Sequence, residues 1–229
     1  MKVAVSWSGG KESGLAYYKA MNEGHQISLI VTFLWEIPIL YHPLELVKLQ
    51  SEAMKTPHIK VKVEKPYFEG YRRAISNLRE KYGIEGIVTG DISITDSYHG
   101  DWMKNVCEGL NVELIRPLWN LNRYHILEEL VSKGFKAIFT CVKKPWFNDY
   151  WLGRLLDNIC IKELKELERK FGMDPCGEFG EYHTMLIDAP MFKEIIEISK
   201  FEKEQKNSTF LLKPIKFFLK TKILPCNDL

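Results

Sequence analysis

The chain opens with the feature that most limits its folds. A brief run holding Val3 and Val5, residues 2–6, ends at Ser8-Gly9-Gly10, and from Lys11 to about Glu23 apolar residues recur at Leu15, Tyr18 and Met21 before Gly24. The first stretch predicts a β-strand and the second a helix of about four turns that Gly24 stops. At such a strand-to-helix turn, glycines let the backbone approach an anion and expose consecutive N–H groups. The helix N-terminus adds partial positive charge, Lys11 a full one, and the Ser8 and Ser13 hydroxyls can donate hydrogen bonds. Ser8-Gly9-Gly10-Lys11-Glu12-Ser13 is therefore expected to hold phosphate, although its spacing is neither a Walker A loop nor GxGxxG.

The same unit recurs. Residues 26–34 read as a strand, 44–55 as a helix, 59–63 as a strand and 68–82 as a helix closed by Gly83. Residues 84–89 follow as a strand ending at Gly90-Asp91, then a helix near 100–110 and a strand at 112–115. This alternation predicts an α/β fold, a doubly wound, mostly parallel sheet covered on both faces. Ligands of such sheets bind beyond the carboxyl ends of the strands. From about residue 123 the pattern changes to a helix at 123–133, a strand at 135–142, an irregular segment and a polar helix at 161–171. We therefore expect two domains, residues 1–122 and a smaller α+β domain at 123–229. After Phe201, Lys is mixed with Phe, Leu and Ile, a weak pattern compatible with terminal strands.

Composition excludes several functions. Apolar residues make up 45% of the 229 and charged residues 27%, the profile of a chain that buries a core. Thirty-two Lys and Arg against thirty Asp and Glu leave a formal charge of +2, so no basic surplus announces nucleic acid. No apolar stretch reaches the roughly 20 residues that span a bilayer, and the amino terminus lacks the pattern of an export signal. Five cysteines, odd in number and without a CxxC pair, argue against a disulfide framework or zinc ribbon and make a reducing cytoplasm the expected location.

A second dense signal is Gly177-Glu178-Phe179-Gly180-Glu181-Tyr182-His183-Thr184, followed by Leu186-Ile187-Asp188-Ala189-Pro190. Two carboxylates three residues apart, each beside glycine, suit close approach to a polar ligand or Mg2+, and the alternating run afterwards reads as a strand. Read alone, the motif serves equally as a charged glycine turn.

Ser-Gly-Gly-Lys-x-Ser after an initial strand resembles the pyrophosphate loop of the N-type ATP pyrophosphatases (the PP-loop superfamily). That resemblance implies an adenine nucleotide alpha hydrolase-like sheet of the HUP type and cleavage of ATP between its α and β phosphates. Here Glu12 stands where the loop usually has Asp. With the second motif, the chain resembles one branch, the diphthine–ammonia ligase family, whose signature is Glu-Gly-Gly-Glu-(Phe/Tyr)-Glu-Thr before a Leu-Asp-x-Pro strand. Tyr41-His42, Leu49-Gln50-Ser51-Glu52-Ala53, Gly86-Ile87-Val88-Thr89-Gly90-Asp91, Arg116-Pro117-Leu118-Trp119 and Trp151-Leu152-Gly153-Arg154-Leu155-Leu156-Asp157 agree with it. The resemblance covers roughly residues 1–196. Phe179 and His183 depart from the signature, and a sister branch with Gly-Glu-(Phe/Tyr)-His-Thr, proposed to act in cobalamin salvage, stays open.

The resemblance implies that a substrate carboxylate is adenylated with release of pyrophosphate, and that ammonia then displaces AMP from the acyl adenylate. Ser8, Gly9, Gly10, Lys11 and Ser13 would hold the β and γ phosphates, with Lys11 also catalytic. Gly90 and Asp91 would contact the nucleotide, and Asp91 would meet Mg2+. The backbone near Thr32 and Phe33 is a candidate for adenine, and Arg154 for pyrophosphate or a substrate carboxylate, its alternative being a surface ion pair. Glu178, Glu181 and His183 would orient the acceptor or ammonia. His42 would lie over the nucleotide or pack a loop, while Trp102, Trp119, Trp146 and Trp151 are expected in the core or between the lobes.

The implied partners are elongation factor 2 bearing diphthine and free ammonium, since the two lobes leave no length for a glutaminase. No membrane partner is expected, nucleic acid is disfavoured, and a homodimer is open. The alternatives are a corrinoid-directed sister enzyme, a tRNA-modifying relative using cysteines such as Cys141 and Cys176, and an ATP- or AMP-binding module without turnover.

Overall fold

The computed structural model describes residues 1–36, 43–94 and 100–222. His42 and Cys226 lie outside them. Five parallel strands, β1 (Lys2–Ser6), β2 (Gln26–Leu34), β3 (His58–Lys62), β4 (Gly86–Val88) and β5 (Glu113–Ile115), form a sheet of order β3-β2-β1-β4-β5. Helices α1 (Lys11–Asn22), α2 (Leu44–Met54), α3 (Tyr67–Tyr82) and α4 (Trp102–Cys107) connect them. This is the doubly wound α/β sheet that the alternation predicted, of the HUP type that the resemblance implied.

The strands carry near-continuous apolar runs because both of their faces are covered. Val3, Val5 and Ile30 join one core with Leu15, Ala16 and Leu46, while Ala4, Leu29, Val31 and Ile87 join another with Ala74, Ile75 and Leu78. Gly83 closes α3 at φ +64°, a left-handed residue that glycine adopts without a Cβ penalty. Arg72 ties α3 to the end of α4 by donating to the carbonyls of Val106 and Glu108 at 2.9 and 2.7 Å. That helix is shorter than the 100–110 expectation because Gly109 and Asn111 both take positive φ.

After α5 (Arg123–Ser132), whose first turn is capped by the Asn122 side chain, the chain builds an antiparallel sheet. Its strands are β6 (Lys136–Lys143), β7 (Tyr182–Asp188), β8 (Glu194–Lys206) and β9 (Thr209–Thr221), in the order β7-β6-β9-β8. Helix α6 (Asn158–Phe171) begins three residues earlier than the apolar spacing suggested, because the Asp157 carboxylate accepts the Cys160 N–H at 2.7 Å and caps it. The segment after Phe201, faint in sequence, is the outer half of a long β8–β9 hairpin that starts at Glu194.

The two sheets meet at the glycine loop. The Leu186 N–H of β7 donates to the Gly9 carbonyl at 2.9 Å, and Leu186 Cδ1 occupies the space where a side chain on Gly14 would stand. Gln50, fully buried on α2, fastens the junction: its Nε2 donates to the Gly9 and Leu186 carbonyls at 3.0 and 2.8 Å, and its Oε1 accepts from Trp7 Nε1 at 2.9 Å. Gln50→Leu removes the partner of the buried Trp7 indole N–H and one donor from each of the Gly9 and Leu186 carbonyls, of which Gly9 keeps the Leu186 N–H. We expect it to lower unfolding stability by about 2–4 kcal/mol, at roughly 1–3 kcal/mol per uncompensated group with partial relaxation; urea titration at fixed pH is the measurement.

Candidate active site

Beyond β1 the chain enters the loop with Gly9 at φ +85°, and a Cβ there would stand 2.6 Å from Gln50 Oε1. Gly10 is the N-cap of α1 and supplies no side-chain cap of its own. Ser8, the exposed member, has its Oγ 3.3 Å from Ser13 Oγ, and Ser13 Oγ donates to the Gly10 carbonyl at 3.0 Å. Gly90, just past β4, rests on this turn so closely that a Cβ would meet Glu12 C at 2.8 Å and Ser13 N at 2.9 Å.

Lys11 does not point into open space. Its ammonium, 2% exposed, pairs with Glu12, donates to the Cys176 carbonyl at 2.7 Å and lies 4.4 Å from the centre of the Tyr182 ring. Burial alone would lower its pKa, but Glu12 and the surrounding acidic groups reverse the direction and hold it charged. Its backbone N–H donates to Thr184 Oγ1 at 3.3 Å.

Between the ends of β1 and β4, where the strand order reverses direction, opens a cavity of about 650 Å³. Ser6, Thr89, Asp91 and Ser93 line one part, Glu178 reaches in from the second sheet's side, and Trp35, Tyr67, Tyr71, Trp102 and Trp119 form the apolar wall. Asp91 accepts the Thr89 hydroxyl at 2.8 Å; burial pushes its carboxyl up, opposed by that hydrogen bond and by Arg116. Arg116 forks onto both oxygens of Asp101 at 2.8 Å each and stacks 3.7 Å from the centre of the Trp119 ring.

Glu178 and Glu181, indistinguishable in sequence, part company here. Gly177 and Gly180, at φ +75° and +80°, fold the loop so that Glu181 turns inward, where it accepts the Asp174 and Phe179 N–H groups at 2.9 and 3.0 Å. Glu178 instead faces the cavity, and burial, then the Glu12 charge, pushes its carboxyl up to about 8. Arg123 holds this loop to the first sheet by donating to Asp174 Oδ2 at 2.9 Å and Ser93 Oγ at 2.7 Å. Tyr182 and Thr184 both meet Lys11, so strand alternation turns His183 to the opposite face of β7.

The structure thus brings together Ser8, Gly9, Gly10, Lys11, Ser13 and Gly90 around the loop, and Asp91 and Glu178 in the adjoining cavity. The other expected residues lie outside the cavity lining or on its wall. Thr32 Oγ1 donates to the Trp7 carbonyl at 2.8 Å and Phe33 is buried against Tyr71, so Trp35, beyond the end of β2, reaches the cavity in their stead. Arg154 makes a two-pronged pair with Glu163 at 2.8 and 2.9 Å, the ion-pair alternative. Glu181 and His183 are directed as described above, away from the cavity. Trp102 and Trp119 line the cavity, whereas Trp151 is in the core as expected. Sequence reasoning passed over Asp101, Arg116 and Arg123. For Arg116 the signal was its place in Arg-Pro-Leu-Trp just past β5.

Among the described residues no group of three His, Cys, Asp or Glu is placed to hold a metal ion, and no helix is long and apolar enough to cross a membrane. Cys107, Cys141, Cys160 and Cys176 are free and buried, and burial pushes the Cys107 and Cys141 thiols up to about 11 and Cys160 to about 12. None has the lowered pKa of a reactive thiol.

A HUP-type sheet, a glycine loop at a helix start and a carboxylate-bearing cavity at the strand switch point define a nucleotide-using α/β enzyme. The family models of the diphthamide synthase N-terminal and C-terminal domains match residues 1–114 and 122–216, and the chain belongs to the diphthamide synthase family. It is accordingly an ATP-dependent ligase. The diphthine–ammonia ligase of Homo sapiens is 27% identical, the match covering 88% of this chain and 84% of that protein. The Bos taurus ligase is 28% identical with the same coverage. The Schizosaccharomyces pombe ligase is 26% identical over 91% of this chain and 38% of its own length. A solved structure titled a predicted subunit of tRNA methyltransferase, from Methanocaldococcus jannaschii, shares 15% identity with a TM-score of 0.44 over 83% of this chain and 98% of that one.

The Glu178 shift carries a pH signature. A carboxyl whose folded pKa is raised to about 8 keeps its proton in the native state while the unfolded chain has lost it. Stability from this group therefore falls as pH rises from the ordinary carboxylate range toward 8. We expect Glu178→Gln to unfold at higher urea than the parent at pH 8.5, with the gap closing toward pH 5.

Proposed function

We propose that this chain joins ammonia to the carboxylate of a diphthine side chain on elongation factor 2, with residues 1–122 binding ATP and 123–229 presenting the acceptor. The observation that supports it is the convergence of Glu178 from the second lobe with Asp91 from the first in one cavity beside the glycine loop.

The residues present fit ATP. The cradle at Gly9 and Gly90 has no room for a Cβ, Gly10 gives the start of α1 no side-chain cap, and Ser8 is exposed beside it. Ser8, Gly9, Gly10 and Ser13 would hold the phosphates, with Lys11 supplying charge from beneath the loop. Asp91 would meet Mg2+, an ion that commonly takes one or two protein carboxylates and completes its shell with phosphate and water. ATP, when bound, supplies the adenylyl group that activates the acceptor carboxylate toward ammonia.

Glu178, in the ionised form that grows as pH approaches 8, would take the proton that ammonium must lose before its nitrogen can attack. A carboxyl pushed up to about 8 is matched to that transfer near neutral pH. Glu181 would act at one remove, because its two backbone hydrogen bonds hold the loop that carries Glu178. The departures from the family signature fall clear of the cavity: Phe179 is 64% exposed and His183 faces away from Lys11. They leave the lining of the ligase reading intact.

The test is turnover with ATP, Mg2+, ammonium and diphthine-bearing elongation factor 2, reading pyrophosphate release and the amide by mass spectrometry. Acceptor-dependent release is expected. None with this acceptor, or equal release with a corrinoid acid or a tRNA, overturns the proposal. Glu178→Gln should lower kcat about 10²-fold or more, the usual scale of a lost general base, whereas Arg154→Gln should stay within about twofold, as expected for a pair outside the reacting groups.

A further inference from the structure

The apolar wall of the cavity has a composition that the adenylating chemistry does not require. Tyr71 and Trp102 meet at 89° with ring centres 6.3 Å apart and form a corner, and Trp35 stands beside Tyr67 at 6.3 Å with its Nε1 donating to the Tyr71 hydroxyl at 3.0 Å. Asp91 and Asp101 lie on the same cavity surface. Among the described residues that line it there is no Lys or Arg, and the nearest guanidinium, Arg116, is already neutralised by Asp101. Asp91 and Glu178 therefore keep the cavity negative whenever they are ionised.

Aromatic faces set at right angles, with a carboxylate in reach, match one ligand chemistry well. A quaternary ammonium has diffuse positive charge and methyl groups but no donor, so ring quadrupoles attract it more than water hydrates it. A phosphate without its Mg2+ would be repelled by the carboxylates. A neutral purine would gain the stacking but not the charge.

We infer that Trp35, Tyr67, Tyr71 and Trp102 form a subsite for an alkylated ammonium group of the acceptor, apart from the glycine loop and from Asp91. The inference rests on the reading of this crevice as the acceptor site, and it assigns to named residues the recognition of the trimethylammonium that a diphthine side chain carries. No covalent step is involved. The subsite orients the acceptor so that its carboxylate lies toward the loop and Glu178.

Calorimetric titration of the full chain with choline and with 3,3-dimethyl-1-butanol, its neutral carbon counterpart, tests the charge requirement directly. Choline should bind about 10-fold more tightly, the scale of a desolvated cation–π contact. Trp35→Leu, at a side chain 47% exposed and hence safe for folding, should weaken choline about fivefold and leave the neutral compound unchanged. Equal binding of the two compounds, no effect of Trp35→Leu on choline, or displacement of choline by adenosine overturns the subsite. In turnover, choline should compete with the protein acceptor and not with ATP. Acceptor-dependent pyrophosphate release that choline does not inhibit overturns the subsite alone. Choline selectivity without any turnover overturns the ligase proposal alone.

Discussion

A single buried ammonium organises this protein. Lys11 sits at the first residue of α1 with almost no exposure, and an uncompensated charge there would cost several kcal/mol. Its compensation comes from three places: Glu12 beside it, the Cys176 carbonyl from the second lobe's loop and the face of Tyr182 on β7. Two of those three belong to the second lobe. The lobes are therefore joined by a charge as well as by packing, and the loop carrying Glu178 is anchored to the residue that opens the glycine turn. Breaking a buried, hydrogen-bonded charge is far more costly than losing an exposed pair, so the geometry of the cavity is fixed from this point outward.

The architecture was legible where burial acts on both sides of a strand. Residues 2–6, 26–34 and 84–89 read as strands because covered faces demand apolar side chains in succession, and Gly24, Lys55 and Gly83 at positive φ follow the helices between them. The β8–β9 hairpin was faint for the opposite reason. The second half of its β8 arm is exposed on both faces, so Lys, Glu and Phe are mixed without a period of two.

The site was legible in its backbone and obscure in its side chains. Glycines announce where a chain must approach something closely, and Gly9 and Gly90 do so. Whether a glutamate faces a cavity or its own loop depends on the turn that carries it, which is why Glu178 and Glu181 could not be told apart. Aromatic residues are ambiguous in the same way, since Trp102 and Trp151 have one chemistry and differ only in whether the fold leaves a void beside them. Arg154 and Arg123 show the same limit, because a sequence does not state which acid an arginine will find.

The hairpin that resisted reading bears on how the molecule survives in crowded solution. β8 is the outermost strand of its sheet, with a free row of peptide groups along the edge. Such an edge invites another chain to add a strand. Lys200, Glu202, Lys203, Glu204 and Lys206 crowd the exposed second half of β8, and an incoming strand would have to strip water from several charges of both signs at once. The irregular, heavily charged composition that concealed this element thus serves as a guard, letting a long ribbon remain extended and solitary.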